Sequence, residues 1–129
     1  VLVINLKEDY FNAHEGLANA CGGNFASVRN QAENEAVVAL MEEYRPEIDS
    51  GTNNCALWLG GKSGSSWEWN DGSAFSYTNW ESDSLGSPGG FWSKYVAVRL
   101  KSYPVGKWVG FYGSPARKAV YRLPSNYAD

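Results

Sequence analysis

The residues that most suggest chemistry lie between positions 83 and 112, where aromatic rings are mixed with lysine, serine, glycine and proline. The aromatic residues of this segment are Phe91, Trp92, Tyr95, Tyr103, Trp108, Phe111 and Tyr112. Rigid rings among small, adaptable residues are typical of recognition surfaces such as antibody loops. The segment therefore indicates molecular recognition, with one alternative of equal weight: the rings could cover the underside of a loop as a satellite core.

The sequence contains no convincing set of catalytic residues. The single histidine, His14, lies seven residues before Cys21, about two helical turns away and too far for the hydrogen bond that activates a thiol. We expect His14 to be a surface or capping imidazole. Glu68 and Asp71 bracket an Asn-Asp-Gly turn, which explains Asp71 without catalysis. Since phosphate-binding and dinucleotide motifs are also absent, we expect no enzymatic activity and no cofactor.

The two cysteines, Cys21 and Cys55, leave two interpretations open. They could form one disulfide, worth about 3–4 kcal/mol in the chain-entropy model, or they could be two buried thiols. Neither has a Cys or His partner two to four residues away, as a zinc finger requires. The cysteines therefore indicate no metal site.

Charge divides the chain into an acidic and a basic part. Residues 1–83 contain thirteen acids and four bases, whereas residues 84–129 contain seven bases and one acid, Asp129. The simpler interpretation is that folding interleaves the two parts so that their charges offset; the alternative is a basic face for an acidic ligand. Bases spread so thinly, in a chain of net charge -3, argue against nucleic-acid binding.

Length and composition predict one globular domain, residues 1–129. Hydrophobic residues make up 43% and charged residues 19%, and no apolar run approaches the ~20 residues of a membrane span. The chain begins Val1-Leu2-Val3, without Met or a signal-like segment. We therefore expect a mature form or an excised module.

The hydrophobic patterns predict two helices followed by a strand-rich half, which is an α+β fold. The first helix, residues 13–21, is capped by Asn12 and stopped by Gly22-Gly23. The second begins at Asn30 with Glu33 and ends at Pro46. Its predicted buried face consists of Ala36, Val37, Leu40, Met41 and Tyr44. Strands are predicted at 1–6, 56–60, 67–69, 95–100, 107–109 and 119–123, and residues 25–28 are predicted to be a strand or an extended link. A loop is predicted over 82–90.

Motifs in this order resemble the C-type-lectin-like domain family over nearly the whole chain. The most specific match is Trp67-Glu68-Trp69-Asn70-Asp71-Gly72 followed by Tyr77-Thr78-Asn79-Trp80. All the matching stretches are residues 20–23, 25–28, 31–35, 57–60, 67–73, 77–80, 95–99, 106–108 and 119–122. The resemblance implies two helices, antiparallel sheets and a long irregular loop. It also implies a non-catalytic module at an extracellular or cell-surface location.

The family usually has two disulfides, and this chain departs from that pattern. Cys21 stands at the first position of the bridge between helix one and the last strand, but its partner position is Tyr121. Tyr95 stands at one position of the second pair. We expect buried tyrosine rings to replace the cross-links by packing. Because Cys55 has no counterpart in the family, a Cys21–Cys55 bridge would be unusual.

Sugar-binding members of the family hold calcium with carboxylates that this chain lacks. Their two ligand triplets are replaced by Ser87-Pro88-Gly89 in the long loop and Trp108-Val109-Gly110 on the following strand. Calcium needs about six to eight oxygen ligands, several of them carboxylates. We therefore expect no metal site, and we interpret Glu81 and Asp83 as a solvated loop entrance.

Three functions are compatible with these features. The first is calcium-independent binding of an extracellular protein or other macromolecule through the long-loop face. The second is an atypical lectin that stacks an acidic or sulfated glycan on Trp92 or Tyr112. The third is a structural domain of a larger surface protein. The predicted ligand-binding residues are Phe91, Trp92, Phe111 and Tyr112 as anchors, with Lys94 and Lys107 as a charged rim, whereas Tyr95 and Trp108 are expected in the core.

Overall fold

The α+β fold is confirmed in a computed structural model, which describes residues 1–50, 56–102, 104–113 and 115–126. The elements are β1 (Leu2–Asp9), α1 (Phe11–Ala20), β2 (Asn24–Phe25), α2 (Gln31–Glu43), α3 (Arg45–Asp49), β3 (Ala56–Ser63), β4 (Trp67–Trp69), a 3-10 turn (Ser84–Gly86), β5 (Lys94–Arg99), β6 (Trp108–Phe111) and β7 (Arg117–Arg122). The predicted strands are present, with their ends displaced by up to three residues. Among the described residues, no helix combines the length and the apolar character needed to cross a membrane.

The two ends of α1 differ in how well the sequence predicts them. The predicted stop is confirmed, because Gly22 has a φ of +81°, which L side chains rarely adopt. The predicted cap is wrong: the helix begins one residue before Asn12, and Tyr10 precedes it without a side-chain hydrogen bond. The apolar side chain of Phe11 is buried, which favours starting the helix there.

Helix α2 begins as predicted, but its end and its buried face differ from the prediction. The side chain of Asn30 accepts a hydrogen bond from the backbone N–H of Glu33 at 2.9 Å. Pro46 does not end α2; it lies in the first turn of α3, where its missing N–H leaves no bond unmade. The predicted buried face is partly wrong: Ala36 and Tyr44 are exposed, and Asn34 is buried in their place.

A single sheet organises the molecule, with strand order β1-β7-β3-β5-β6; β2 also pairs with β7, and β4 with β3. All pairs are antiparallel except β3 with β7, where Trp58 lies opposite Ala119 in a parallel contact. The central strand β3 is buried on both faces, which explains why residues 56–60 form an unbroken apolar run instead of an alternating one.

Hydrophobic clusters cover both faces of the sheet. The cluster beneath α2 consists of Ala26, Val28, Val37, Met41, Ile48, Leu57, Leu59, Trp69, Val96, Val98, Leu100, Trp108 and Val120. The cluster beneath α1 consists of Phe11, Ala18, Phe25, Ala56, Trp58, Ala97, Ala119, Tyr121 and Leu123. The first cluster contains Trp108, as predicted, and it extends under the long loop that connects β4 to β5.

Folding brings the acidic and basic parts of the chain together. Four ion pairs join them: Lys118 with Glu8 (3.2 Å), Arg99 with Glu81 (3.0 Å), Lys101 with Asp49 (3.6 Å) and Arg122 with Glu33 (3.8 Å). Pairs as exposed as Lys101 with Asp49 each contribute only about 0–1 kcal/mol. Folding therefore interleaves the two parts as predicted for these four bases, whereas Lys94 and Lys107 form no ion pair within the described residues, so the alternative of a local basic face stays a prediction.

A buried polar contact joins α1 to β7 where the family has a disulfide. The hydroxyl of Tyr121 lies 2.6 Å from His14 Nδ1 and accepts a hydrogen bond from the Asn5 side chain at 3.1 Å. His14 Nε2 lies 2.7 Å from the backbone oxygen of Arg117. Because that oxygen can only accept, Nε2 carries the proton and Nδ1 accepts from the tyrosine hydroxyl. The prediction of a surface or capping His14 is therefore wrong, since the imidazole is completely buried.

Tyrosine rings pack at both positions where the resemblance implies a cysteine, but only Tyr121 is buried as predicted, and Tyr95, predicted for the core, is half-buried. Tyr121 is 3% exposed and meets the ring of Phe25 edge-on at 5.7 Å. Tyr95 is half-buried and stacks on Phe11 at 4.2 Å. Cys21 is exposed and is not bridged to any described residue. Cys55 lies outside the described residues, so the Cys21–Cys55 bridge stays a prediction.

Candidate functional site

Two aromatic side chains project from the end of the long loop. Phe91 is 90% exposed and Trp92 is 68% exposed, and their rings meet perpendicularly at 5.0 Å between centroids. The backbone beneath them is held in place, since the N–H of Gly89 donates to Ser63 Oγ at 2.8 Å. Position 89 admits no side chain, because a Cβ there would lie 1.8 Å from the backbone oxygen of Trp92. The rings are therefore exposed on a loop end whose preceding residue Gly89 is bonded to Ser63 of β3.

Tyr112 and Lys94 lie beside this projection. The antiparallel pairing of Tyr95 with Phe111 brings the adjacent residues 94 and 112 together. Lys94 Nζ lies 5.2 Å from the centroid of the half-exposed Tyr112 ring, and it also donates to the backbone oxygen of Ser87 at 3.3 Å. We call Phe91, Trp92, Lys94 and Tyr112 together the aromatic tip.

The other two residues predicted for the site lie elsewhere. Phe111 is half-buried: the Arg117 guanidinium covers its ring at 4.3 Å, and its edge meets Trp58 at 6.4 Å. Lys107 precedes the other end of β6, about 16 Å from Tyr112 along an extended strand. It donates to the side-chain oxygen of Asn79 at 3.2 Å. Of the six predicted residues, Phe91 contacts Trp92, and Lys94, two residues after Trp92, lies over Tyr112. Phe111 is covered by Arg117, and Lys107 lies at the other end of β6.

A tryptophan fills the space beside β6 where the resemblance implies a calcium ligand. A Cβ at Gly110 would lie 2.9 Å from two ring atoms of Trp67 and 3.2 Å from the backbone oxygen of Leu85. The indole N–H of Trp67 donates to the backbone oxygen of Gly86 at 2.8 Å. A carboxylate at position 110 therefore has no room while Trp67 keeps this position.

The charged groups near the long loop do not fit a calcium site either. Glu81 forms an ion pair with Arg99 at 3.0 Å, which neutralises it. Across the described parts of the chain, no three side chains from Asp, Glu, His and Cys are grouped to hold a metal ion. Since calcium requires several carboxylate and carbonyl oxygens at once, the residues present do not fit the family's calcium ion.

Calcium is therefore expected to leave the stability of the domain unchanged. A site formed only in the native state stabilises a protein by about 2.7 kcal/mol at a hundredfold excess over Kd, and such a gain raises the melting temperature by several degrees. Thermal unfolding followed by circular dichroism in calcium and in EDTA tests this. A melting temperature that rises with calcium and saturates, with magnesium giving no rise, would contradict the expectation.

Aromatic rings, instead of a metal, fill the space beneath the long loop. Trp80 and Trp67 lie 4.9 Å apart, and Phe75 stacks on Trp69 at 4.5 Å. Trp108 meets three of these rings and Tyr77 edge-on at 5.6–6.2 Å. A satellite core is thus present, but it is built mainly from residues 67–80 and not from the exposed rings at positions 91, 92 and 112.

Two clefts open on the described surface, and the first adjoins the base of the tip, since its lining residue Gly64 accepts a hydrogen bond from the N–H of Gly90. One of about 450 Å³ lies between α1 and the β3–β4 hairpin, lined by Glu15, Lys62 and Glu68 among others. Another of about 530 Å³ lies between α2 and the segments around Tyr77 and Pro104. The tip itself is a projection, so any partner must approach it from outside.

The architecture matches solved structures of one class. CEL-IV superposes with a TM-score of 0.80 at 21% identity, over 95% of this chain and 86% of that one. The C-type lectin domain of murine dendritic cell inhibitory receptor 2, solved in complex with N-glycan, gives 0.70 at 18% identity over 93% and 87%. The chain is a divergent C-type-lectin-like domain, a class of carbohydrate- or protein-binding modules that are not enzymes.

Sequence similarity gives particular relatives. Human lithostathine-1-alpha is 30% identical over 105 residues, which make up 79% of this chain and 58% of that protein. The chain thus spans about three fifths of the length of this relative. No protein-family model matches the chain. These relatives confirm the prediction that the domain is not an enzyme and support an extracellular or cell-surface location.

Proposed function

We propose that this domain is a calcium-independent binding module that recognises a protein or another macromolecular ligand through the aromatic tip. The observation that carries the proposal is the adjacent pair Phe91 and Trp92, exposed by 90% and 68% on a loop end that is bonded to β3. Large rings of this kind contribute most where a partner removes them completely from water. Because the backbone is already ordered, binding incurs a smaller entropic cost.

The lack of a calcium cage supports the calcium-independent part of the proposal. Family members that hold sugar through calcium need carboxylates in the long loop and on the following strand, as the resemblance implies. Here Trp67 occupies the space beside Gly110, and Glu81 is paired with Arg99. Recognition therefore depends on rings and ammonium groups instead of a bound cation.

An acidic or sulfated glycan is a second candidate ligand, favoured by Lys94. This side chain lies over the Tyr112 ring and forms no ion pair within the described residues, so its charge is available to an anion. The exposed face of Trp92 could stack on a sugar ring. The convex shape of the tip makes a protein ligand the first candidate, since a sugar is usually held in a cleft.

A double variant, Phe91→Ser with Trp92→Ser, is expected to weaken ligand binding by about tenfold or more. The loss follows from removing two rings that a partner would bury, each worth more than about 1 kcal/mol. Binding is measured on arrays of extracellular proteins and of glycans, in calcium and in EDTA. EDTA is expected to have no effect.

The matched control is Tyr10→Ser with Tyr44→Ser, which removes two exposed rings that flank the helices α1 and α2 and are not part of the tip. It is expected to bind like the unaltered protein. Equal binding by the tip variant, with its circular dichroism unchanged, would remove the tip from the ligand site. A Lys94→Gln variant that loses only sulfated glycans would favour the second candidate over the first.

A further inference from the structure

The tip has a shape that suits a deformable partner. Phe91, the most exposed of the large hydrophobic side chains described, carries no polar atom, so its ring cannot form a hydrogen bond with a sugar or a peptide. The cleft lined by Lys62, Gly64 and Glu68 adjoins the base of the tip, but Phe91 is not among the residues that line it and is 90% exposed. A bilayer interface, unlike a protein, accepts a projecting ring without needing a matching pocket.

The composition of the tip is that of an interfacial membrane anchor. Tryptophan and tyrosine favour the interface because their rings enter the acyl boundary while their polar atoms stay hydrated. Trp92 and Tyr112 are both more than half exposed, and Phe91 adds a fully apolar ring. Lys94 holds its ammonium group 5.2 Å from the centroid of the Tyr112 ring, and its long flexible side chain can carry that group to the headgroups.

The charge around the tip favours an anionic surface. The sequence from residue 84 to residue 128 contains no Asp or Glu, so the loop end and both strands beside it carry no carboxylate. Arg99 is paired with Glu81, but the described residues give Lys94 no acidic partner. Lys62 on β3 lies opposite Glu68 on β4, so this pair leaves the local charge balance unchanged. The positive charge beside the rings is therefore that of Lys94, on a loop end and two strands without a carboxylate.

The tip is also held outward before any partner arrives. The N–H of Gly90 donates to the backbone oxygen of Gly64 at 2.8 Å, and that of Gly89 donates to Ser63 Oγ at 2.8 Å. Lys94 bonds the backbone oxygen of Ser87 at 3.3 Å. These contacts fix the loop end to β3, so insertion requires no further ordering of the backbone.

We infer that the aromatic tip also docks on an anionic lipid bilayer, with Phe91 and Trp92 inserted into the interfacial region and Lys94 among the headgroups. The inference rests on the proposed function in one respect, because both place binding at the tip. A peripheral anchor of two rings and one lysine is weak and reversible, so it suits a domain that samples a membrane surface.

Vesicle co-sedimentation tests the inference with two lipid compositions. The probes are vesicles of phosphatidylcholine alone and of phosphatidylcholine with about 20% phosphatidylserine. The unaltered domain is expected to sediment with the second more than with the first. Phe91→Ser with Trp92→Ser is expected to lower the partition coefficient by about tenfold or more on both. Lys94→Gln is expected to lower it about fivefold on the phosphatidylserine vesicles only.

The control Tyr10→Ser with Tyr44→Ser is expected to sediment like the unaltered protein. Brominated lipids are expected to quench part of the tryptophan emission, and Trp92→Phe is expected to remove that part.

No sedimentation of the unaltered domain, or equal sedimentation of the tip variant, would overturn the inference. If array ligands bind through the tip while vesicles do not, the inference fails and the proposed function stands. If vesicles bind and no array ligand does, the proposed function fails and the inference stands.

Discussion

Replacing Trp108 by alanine is expected to lower the free energy of unfolding by about 3–5 kcal/mol. The side chain is completely buried, and its indole N–H donates to the Asn34 side-chain oxygen at 2.8 Å. Its ring also supports Trp69 and Trp80, each 5.6 Å away, beneath the long loop. Truncation would leave a cavity and an unpaired amide oxygen at the point where α2, β6 and the long loop meet.

Urea denaturation of Trp108→Ala and Trp92→Ala gives a matched comparison, because both lose the same atoms. Trp92 is 68% exposed, so its truncation is expected to change stability by no more than about 0.5 kcal/mol. Trp108→Phe separates packing from the hydrogen bond. It keeps most of the ring volume but leaves the Asn34 oxygen unpaired, at a cost of about 1–3 kcal/mol. If Trp92→Ala and Trp108→Ala lowered the free energy of unfolding by similar amounts, Trp108 would not belong to the core as described.

The sequence predicts much of the fold, because the responsible interactions are local. The continuous apolar run at 56–60, the Asn30 cap and the Gly22 stop depend on neighbouring residues, and each appears where expected. Asn34 shows the limit of this reasoning. Polar residues are normally placed on the outer face of a helix, but the bond from Trp108, 74 residues away, draws this one inside.

The sequence signal for His14 was present and was missed. Phe11, His14 and Ala18 follow a spacing of three and four residues, and all three are buried on one face of α1. No local pattern reveals the hydrogen-bond partner that allows the imidazole of His14 to be buried. Tyr121 supplies it from the last strand, at the position where the resemblance implies a cysteine.

The sequence predicts only those features of the candidate site that depend on neighbouring residues. The exposure of Phe91 and Trp92 follows from a glycine-rich loop end without strand alternation. Phe111 continues a strand pattern, and its cover, the Arg117 guanidinium, comes from β7, which does not pair with β6 in the sheet. The sequence likewise shows that calcium ligands are missing, but not that Trp67 fills their place. The register in which the strands pair decides which side chains from different strands contact each other, and the sequence alone does not reveal that register.

Acid is expected to destabilise the domain through its single histidine. Burial lowers the pKa of His14 below its ordinary value of 6.5, and the hydrogen bond to the Arg117 oxygen only partly offsets this effect. The unfolded chain therefore binds a proton more readily than the folded one. The stabilisation from the neutral imidazole is fully present above about pH 6.5, and it is lost progressively as the pH falls towards and through the lowered value.

The free energy of unfolding measured in urea between about pH 8 and pH 5 tests this expectation. Tyr121→Phe should cost about 1–3 kcal/mol at neutral pH, because His14 Nδ1 loses its donor and Asn5 loses an acceptor. His14→Gln removes the titrating group, so the part of the pH dependence due to histidine should disappear. If this variant lost stability with the same slope between pH 6.5 and pH 5 as the unaltered protein, the acid sensitivity would have to come from carboxylates and not from His14.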